Sequence, residues 1–304
     1  MIMDLKSKII LISGPTASGK SSFAIKVAKK VDGEIINADS MQVYRQLKIL
    51  SARPDPKQYN KIKHHLYGFY DVTKNFSTGD WLKLVNKKIK EVQKRKKTPI
   101  LVGGTGLYFK AITDGLVQIP NISVKLRKQI RNMQKKLGQK RFYKKLLKLD
   151  PLLKGKINPT DTQRSIRAYE VKKFTKKSLY EWFKNTKSNF LEGNFVKVYI
   201  DYPRQELIER INLRTEEIIE NGAIKEVKSF IKLRVRKDKS ANKAIGVSEI
   251  REYLKKKKDL NETKEKIAIK TRQYAKRQST WARGNMTNWM KLKPKDINKF
   301  LKKI

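Results

Sequence analysis

The chain has 304 residues, enough for one large domain with an insertion or for two domains. Its 73 Lys and Arg against 28 Asp and Glu give a formal charge of +45, which indicates a polyanionic partner such as nucleic acid, although drift of the whole genome toward lysine would explain part of it. The lack of cysteine excludes disulfides and thiolate metal sites, and no apolar run is long enough for a membrane span, so we expect a cytoplasmic protein with no membrane partner.

A phosphate-binding motif of the form Gly-x-x-x-x-Gly-Lys-Ser lies near the start of the chain. An apolar run at 8–12 precedes it and a helical pattern at 22–30 follows it, which predicts a buried strand, a loop and a helix. The loop glycines let backbone N–H groups face an anion, Lys20 supplies positive charge and Ser21 can hold Mg²⁺. We therefore expect a diphosphate or polyphosphate to bind Gly14, Pro15, Thr16, Ala17, Ser18, Gly19, Lys20 and Ser21.

Three more buried strands are predicted at 34–38, 99–102 and 197–202. With the first strand they indicate an α/β fold, a P-loop NTPase-like parallel sheet flanked by helices. Between residues 120 and 196 only helical patterns occur, so this stretch is interpreted as an inserted all-helical domain. The catalytic core is accordingly predicted at 1–119 and 197–304, with basic helices at its carboxyl end.

Two polar positions follow predicted strands. Asp39 comes at the carboxyl end of the second strand, where ligands bind in doubly wound sheets, so it either takes part in the chemistry or holds a magnesium-bound water as in many phosphate-loop kinases. Thr105 lies in the Gly-rich turn 103–106 after the third strand. That turn either approaches a ligand closely or is purely structural.

Two predicted helices carry residues suited to nucleic-acid contact. On the helix at 161–174, Gln163 and Arg167 are four residues apart with Arg164 beside them, although a solvated basic face would look the same. The helix at 263–283 has a basic face and an apolar stripe that we interpret as core. The basic residues are Arg272, Lys276 and Arg283, and the apolar ones are Ile267, Tyr274 and Trp281.

Five segments, taken in order, resemble the motifs of the tRNA dimethylallyltransferases. The segments at 39–45 and 274–281 are specific to that family, whereas the phosphate loop is shared with many enzymes. The segments are GPTASGKS at 14–21, DSMQVYR at 39–45, VGGTGLY at 102–108, DTQRSIRA at 161–168 and YAKRQSTW at 274–281.

The resemblance implies transfer of a dimethylallyl group from its diphosphate to the exocyclic amine of the adenosine immediately 3′ of the anticodon. The phosphate loop would then hold dimethylallyl diphosphate with Mg²⁺, Lys20 would stabilise the leaving diphosphate, Asp39 would take the amine proton and Thr16 would lie near the bridging oxygen. The expected partner is the tRNA anticodon stem-loop, bound by a monomer. The implied tRNA contacts are Asp39, Ser40, Met41, Gln42, Thr105, Gln163, Arg164, Ser165, Ile166, Arg167, Arg272 and Lys276.

Two segments depart from the family pattern. The loop 46–54 lacks a Gly-rich stretch, and Gly246–Glu249 reads Gly-Val-Ser-Glu where the family usually has Gly-Tyr-Lys-Glu. Three other readings stay open: a kinase that uses ATP at the same loop, a prenyltransferase acting on free adenine nucleotides, and an RNA-binding protein without chemistry. The high charge and the basic last helix favour tRNA over free nucleotides.

Overall fold

The structure is a computed structural model that describes Leu5, residues 7–184 and residues 186–304. The chain forms two compact units. The core unit consists of Met1–Thr113 and Phe190–Ile304, and the helical unit consists of Asp114–Asn189. No helix in the described ranges is long and apolar enough to cross a membrane.

The core unit is built on a parallel sheet whose described strands run in the order β3-β2-β4-β1-β5-β6. This confirms the predicted α/β fold. Two short strands, β3 and β6, were not predicted because two or three residues are too few to show a periodicity. The strands are β1 (Ile9–Ser13), β2 (Gly33–Asn37), β3 (His64–His65), β4 (Thr98–Gly103), β5 (Phe195–Ile200) and β6 (Met290–Leu292).

Helices alternate with these strands and then follow one another toward the carboxyl end. The helices predicted at 22–30, 161–174 and 263–283 lie within three residues of the observed bounds at each end, as expected where caps rather than periodicity set the ends. In chain order they are α1 (Lys20–Val31), α2 (Thr78–Lys94), α3 (Gly106–Thr113), α4 (Val124–Leu149), α5 (Thr162–Thr175), α6 (Leu179–Lys184), α7 (Arg204–Glu220), α8 (Ala223–Lys232), α9 (Val247–Leu254), α10 (Leu260–Asn285) and α11 (Ile297–Lys302).

Both faces of the sheet are covered. Every residue of β1 is buried, and because side chains alternate along a strand, Ile9 and Leu11 pack on one side while Ile10 and Ile12 pack on the other. Helices α2, α3 and α10 cover the first side, and α1 and α11 cover the second. A sheet buried on both faces exposes only its strand ends, so the carboxyl ends of β1, β2 and β4 are the places where polar side chains can gather.

The helical unit has its own apolar core. Helix α4 is interrupted at Gly138, whose φ of 71° and ψ of 166° are not helical, so it consists of two helical segments. Phe142 and Leu146 of α4 pack with Tyr169 and Val171 of α5. The unit therefore does not depend on the sheet for its hydrophobic core.

Candidate active site

The phosphate loop connects β1 to α1. Gly19 has a φ of 77°, in the left-handed region that glycine adopts at little cost, but Ala17 also has a positive φ of 63°. Arg210 Nε donates a hydrogen bond to the Ala17 carbonyl oxygen at 2.8 Å, which helps to hold this less favourable conformation. The Ser18 hydroxyl is buried without a hydrogen-bond partner among the described residues. The Ser18 hydroxyl is therefore available to donate a hydrogen bond to an anion bound at the loop.

Lys20 is the first residue of α1, and its ammonium group lies over the loop. Its Nζ donates to the Pro15 carbonyl oxygen at 3.0 Å. Burial lowers the pKa of Lys20 to about 8; Asp39 opposes this shift and Arg214 adds to it. A diphosphate at the loop would supply the negative charge that stabilises the protonated amine.

Asp39 is held in a fixed orientation at the end of β2. Asn37, fully buried, accepts a hydrogen bond from the Asp39 N–H at 2.9 Å and donates to the Asp39 carbonyl at 3.0 Å. The Asp39 carboxylate oxygen Oδ1 accepts from the Met41 N–H at 2.8 Å. No donor to Oδ2 is found among the described residues, so Oδ2 is the atom available to accept a proton from a ligand.

Arg214 of α7 is a site residue that the sequence analysis missed. Its guanidinium donates to the Thr16 hydroxyl at 3.2 Å and to the Ser51 carbonyl at 3.5 Å. Burial lowers the pKa of Arg214, while the charges of Asp39 and Glu217 act in the opposite direction. The spacing of Arg210 and Arg214, one helical turn apart on the helix after β5, was the signal that could have revealed them.

Gln278 of α10 joins the phosphate loop to the Gly-rich turn after β4. Its side-chain carbonyl accepts from the Thr16 N–H at 2.9 Å, and its amide nitrogen donates to the Gly104 carbonyl at 2.8 Å. A Cβ at position 104 would lie 2.2 Å from that amide nitrogen, so only glycine allows this approach. The side chain therefore fixes the distance between two loops of the site, which the apolar and basic patterns of α10 gave no reason to expect.

The Gly-rich turn also packs against the segment that carries Asp39. A Cβ at Gly103 would lie 2.0 Å from the Ala38 carbonyl oxygen, so the two strand ends touch backbone to backbone. The Thr105 hydroxyl accepts from the Ser40 N–H at 2.9 Å and donates to the Ser40 hydroxyl at 3.2 Å. The turn thus has a structural role, and Thr105 in addition lines one cavity, which it shares with Gly104 and Gly106.

Two cavities meet at Thr16 and Asp39. One, of about 300 Å³, is polar and is lined by the phosphate loop, Lys20, Arg210 and Arg214. The other, of about 350 Å³, is more apolar. Its apolar lining residues are Met41, Leu50, Ile211, Ile218, Ala244, Ile245 and Ile267. An anion with a short apolar tail matches this pair, with its reacting atom beside Asp39.

A third cavity, of about 290 Å³, lies on the Gly104 side of Gln278. Tyr199, Tyr274 and Trp281 line it, so the prediction that Tyr274 and Trp281 belong to the core was only partly right: Ile267 is fully buried, but the two rings are half-buried and reach cavities. Helical spacing places these three residues on one side of α10, but it cannot tell a packed neighbour from a cavity.

The predicted tRNA contacts of the core unit divide into lining and surface residues. Ser40 and Met41 line the apolar cavity, and Gln42 lines the polar one. Lys276 is exposed on α10, whereas Arg272 is half-buried and donates to Asn212 at 3.2 Å. Arg277, which the sequence analysis did not single out, lines two cavities.

The other predicted contacts lie on α5 of the helical unit. Gln163 and Arg164 are exposed and Arg167 is half-buried, but Ser165 and Ile166 are buried. Ser165 donates to the Asp161 carbonyl at 2.7 Å, and Ile166 packs in the core of the unit. The expected direct contacts of Ser165 and Ile166 with RNA are therefore not compatible with the structure, because consecutive residues of a helix point in different directions.

The two segments that depart from the family pattern contact each other. The Glu226 carboxylate accepts hydrogen bonds from three consecutive N–H groups of the loop, those of Lys48, Ile49 and Leu50, at 2.7, 2.8 and 3.0 Å. Gly246 has a φ of 102°, and a Cβ there would lie 2.4 Å from the Leu50 side chain. This loop lines both cavities through Leu50 and Ser51, so Glu226 stabilises the site indirectly by holding the loop in place.

The lining residues fit a magnesium ion. Ser21, Asp39 and Glu217 line the polar cavity, and Mg²⁺ in phosphate sites commonly takes one or two protein oxygens together with phosphate oxygens and waters. No group of three or more His, Cys, Asp or Glu within the described ranges could hold a metal by itself. A metal here would depend on the phosphate ligand for part of its coordination.

Comparison with known proteins gives consistent matches. The IPP transferase family model matches residues 42–285. The tRNA dimethylallyltransferase of Pelagibacter ubique (strain HTCC1062) is 60% identical over 302 residues, covering 99% of this chain and 96% of that protein. The tRNA dimethylallyltransferase of Rickettsia massiliae (strain Mtu5) is 45% identical over 278 residues, covering 91% of this chain and 76% of that protein.

Solved structures agree with these matches. The full-length tRNA isopentenylpyrophosphate transferase of Bacillus halodurans has a TM-score of 0.70 and 31% identity, covering 97% of this chain and 95% of that chain. A eukaryotic dimethylallyltransferase, described as acting on tRNA, has a TM-score of 0.78 and 28% identity, covering 90% of this chain and 69% of that chain.

Proposed function

The chain belongs to the IPP transferase family, the tRNA dimethylallyltransferases, and we propose that it transfers a dimethylallyl group from dimethylallyl diphosphate to tRNA. The acceptor is the exocyclic amine of the adenosine immediately 3′ of the anticodon, and diphosphate is released. One observation carries this proposal: a cationic cavity at the phosphate loop adjoins an apolar cavity, and Asp39 lies at their junction.

The diphosphate of the donor binds at the phosphate loop. The loop N–H groups and the start of α1 face the anion, and Lys20, Arg210 and Arg214 surround it with positive charge. These groups stabilise the charge that develops on the leaving diphosphate as its bond to the allylic carbon breaks. Mg²⁺ held by Ser21 would neutralise further charge on the same oxygens.

Thr16 connects the parts of the donor site. Its hydroxyl accepts from Arg214 and its N–H donates to Gln278, and it lines both cavities. These contacts support placing Thr16 beside the oxygen that joins the diphosphate to the dimethylallyl group. Movement of Thr16 would therefore disturb the donor at the bond that breaks.

Asp39 acts as the base. The amine nitrogen forms a bond to the first carbon of the dimethylallyl group, the carbon–oxygen bond breaks toward the diphosphate, and the amine proton passes to Asp39 Oδ2. A strongly basic carboxylate is unnecessary, because the amine becomes acidic as it bonds to an allylic carbon with cationic character. Asn37 fixes the backbone of Asp39, and the Met41 N–H holds its carboxylate in place for this transfer.

The tRNA contacts are proposed at several places. Ser40, Met41 and Gln42 line the two cavities that meet at Asp39, Thr105 contacts Ser40, and the remaining contacts are exposed or half-buried polar or basic residues of α5 and α10. The target adenosine has to leave the stack of the anticodon loop, which costs a few kcal/mol that such contacts would offset. These remaining contacts are Gln163, Arg164, Arg167, Arg272 and Lys276. A monomer in the cytoplasm, where tRNA is modified, is the form that we expect to act.

A kinase would use the same loop with ATP, but it has no need for an apolar cavity beside Asp39. A prenyltransferase of free nucleotides would need neither the helical unit nor the charge of +45. The family membership and these two features favour tRNA.

The experiment incubates the protein with radiolabelled dimethylallyl diphosphate and an unmodified tRNA that has adenosine 3′ of its anticodon. The matched control tRNA has guanosine at that position. We expect label in the first tRNA only. Label in free adenine nucleotides but not in tRNA, or phosphate transfer from ATP without use of the prenyl donor, would contradict the proposal.

A further inference from the structure

A buried carboxylate lies among arginines in the helical unit, which contains none of the residues proposed for chemistry. The Glu170 side chain is only 4% exposed, and it forms ion pairs with three guanidinium groups. Its oxygens lie 4.0 Å from Arg127, 3.9 Å from Arg131 and 3.7 Å from Arg167. Burial raises the pKa of Glu170, and the three arginines oppose that shift.

Helix geometry explains why these groups meet. Arg127 and Arg131 are four residues apart on α4, so they lie on one face, and Arg167 and Glu170 are three apart on α5. The two helices pack against each other through the apolar core of the unit, which brings the faces together. Arg127 and Arg131 belong to no motif of the sequence, so only the structure groups them with Arg167.

Two buried polar atoms of the cluster, one acceptor and one donor, are unpaired within the described residues. Glu170 Oε1 and Arg127 Nε are buried and have no hydrogen-bond partner among the described residues, because the pair distances are too long for hydrogen bonds. The side chains of Arg127, Arg131 and Arg167 are 40%, 53% and 39% exposed. One buried carboxylate therefore faces three partly exposed guanidinium groups, and the local charge stays positive.

We propose that Glu170 is a positioning residue that orders Arg127, Arg131 and Arg167 into one contact surface for RNA backbone phosphates. A guanidinium matches a phosphate with two parallel hydrogen bonds, provided that its plane is already oriented. Three neighbouring arginines would otherwise repel one another and spread apart, and the buried carboxylate prevents this. The surface adjoins the exposed Gln163 and Arg164 of α5. The proposal rests on the proposed function, because it takes the RNA to be tRNA.

Removal of the Glu170 charge separates this proposal from simple electrostatics. Glu170→Gln raises the net charge by one, so if lysines and arginines act only through their summed charge, tRNA must bind as tightly as before or more tightly. If Glu170 positions the arginines, the same change must weaken binding. The two explanations thus predict opposite signs.

The experiment measures tRNA affinity of the full chain over a series of salt concentrations. We expect Glu170→Gln to bind about tenfold more weakly, with a smaller salt slope by about 1 to 2 because ordered phosphate contacts are lost. Glu181→Gln, the same charge change at an exposed residue of the same unit that has no arginine partner among the ion pairs of the described residues, is the matched control and should not weaken binding. Binding by Glu170→Gln that is equal to or tighter than wild type would overturn the proposal.

A second variant covers the case in which Glu170→Gln unfolds the helical unit. Arg127→Lys combined with Arg131→Lys keeps every charge but removes the planar guanidinium groups, and it too should bind tRNA more weakly with the fold intact by circular dichroism. Unchanged affinity in this variant would refute the surface. Prenyl transfer by wild type is measured in parallel: if transfer is absent while the variants weaken tRNA binding, the proposed function fails and the surface stands, and the reverse pattern rejects the surface alone.

Discussion

The affinity of the enzyme for dimethylallyl diphosphate should fall as the pH rises through 8, because Lys20 loses its charge there. Burial lowers the pKa of Lys20 from 10.5 to about 8 in the free protein. In the proposed function the protonated amine binds the donor, so binding should be at full strength below pH 8 and should weaken above it. The sign is fixed because it is the protonated form of lysine that carries the charge.

The expected size follows from the titration of one group. With a pKa of about 8, the protonated fraction falls from about nine-tenths at pH 7 to about one-tenth at pH 9, so the affinity should drop about tenfold over that interval. The diphosphate itself changes little there, because its last ionisation lies near pH 6 by analogy with phosphate esters. Burial raises the pKa values of Tyr67, Tyr108 and Tyr274, which interact with the charge of Asp39, so these tyrosines stay neutral over the same interval.

The assay is calorimetric titration of the donor without tRNA, at constant Mg²⁺, from pH 7 to pH 9.5. Lys20→Arg is the matched control, since arginine keeps its charge throughout and should bind with an affinity that does not change with pH. A midpoint near the ordinary lysine value of 10.5, or the same decline in Lys20→Arg, would refute the reasoning.

Three further variants test the supports of the site. Gln278→Ala leaves the Thr16 N–H and the Gly104 carbonyl unpaired, so single-turnover transfer should slow about tenfold to a hundredfold, equivalent to about 1.4 to 3 kcal/mol. An unchanged rate would contradict the role of Gln278 in holding the two loops together. Arg214→Lys keeps the charge but cannot donate to Thr16 and Ser51 together, and donor affinity in a titration should drop about tenfold, whereas retained affinity would show that charge alone suffices. Glu226→Gln weakens the hydrogen bonds to three N–H groups of the loop 46–54, so it should lower the free energy of unfolding by about 1 to 3 kcal/mol. It should also raise the KM for the donor more than it lowers kcat. A loss of stability with no change in KM would mean that the loop does not shape the site.

Much of the fold was predictable because it depends on local pattern. The four strands found in the sequence correspond to β1, β2, β4 and β5, since each is a buried β-branched run bounded by turns. The approach of Asp39 to the phosphate loop also followed, because carboxyl ends of parallel strands share one edge. The structure puts both in the lining of one cavity.

The supports of the site could not be predicted because they join distant parts of the chain. Gln278 contacts a residue 262 positions away, Arg214 one 198 positions away and Glu226 one 178 positions away. No periodicity or spacing reports such pairs, since they arise only when α7, α8 and α10 pack against the core. The same is true of Glu170, whose partners on α4 belong to no motif.

The error at Ser165 and Ile166 has a simple physical cause. The role of contacting tRNA was assigned to every residue of the run 163–167, but the side chains of successive helix residues differ by about 100° in direction. Arg164 and Arg167 can share a surface because they are three apart, and the two residues between them turn toward the core.

The central claim is that Asp39 accepts the amine proton while the phosphate loop holds the leaving diphosphate. Single-turnover transfer by Asp39→Asn, with separate binding titrations of tRNA and dimethylallyl diphosphate, tests it most directly. Asn keeps the size and the hydrogen bond to the Met41 N–H but cannot accept the proton, so the rate should fall by about two to four powers of ten with both affinities largely kept. Near wild-type transfer, or lost donor binding with a rate restored by high Mg²⁺, would contradict the account.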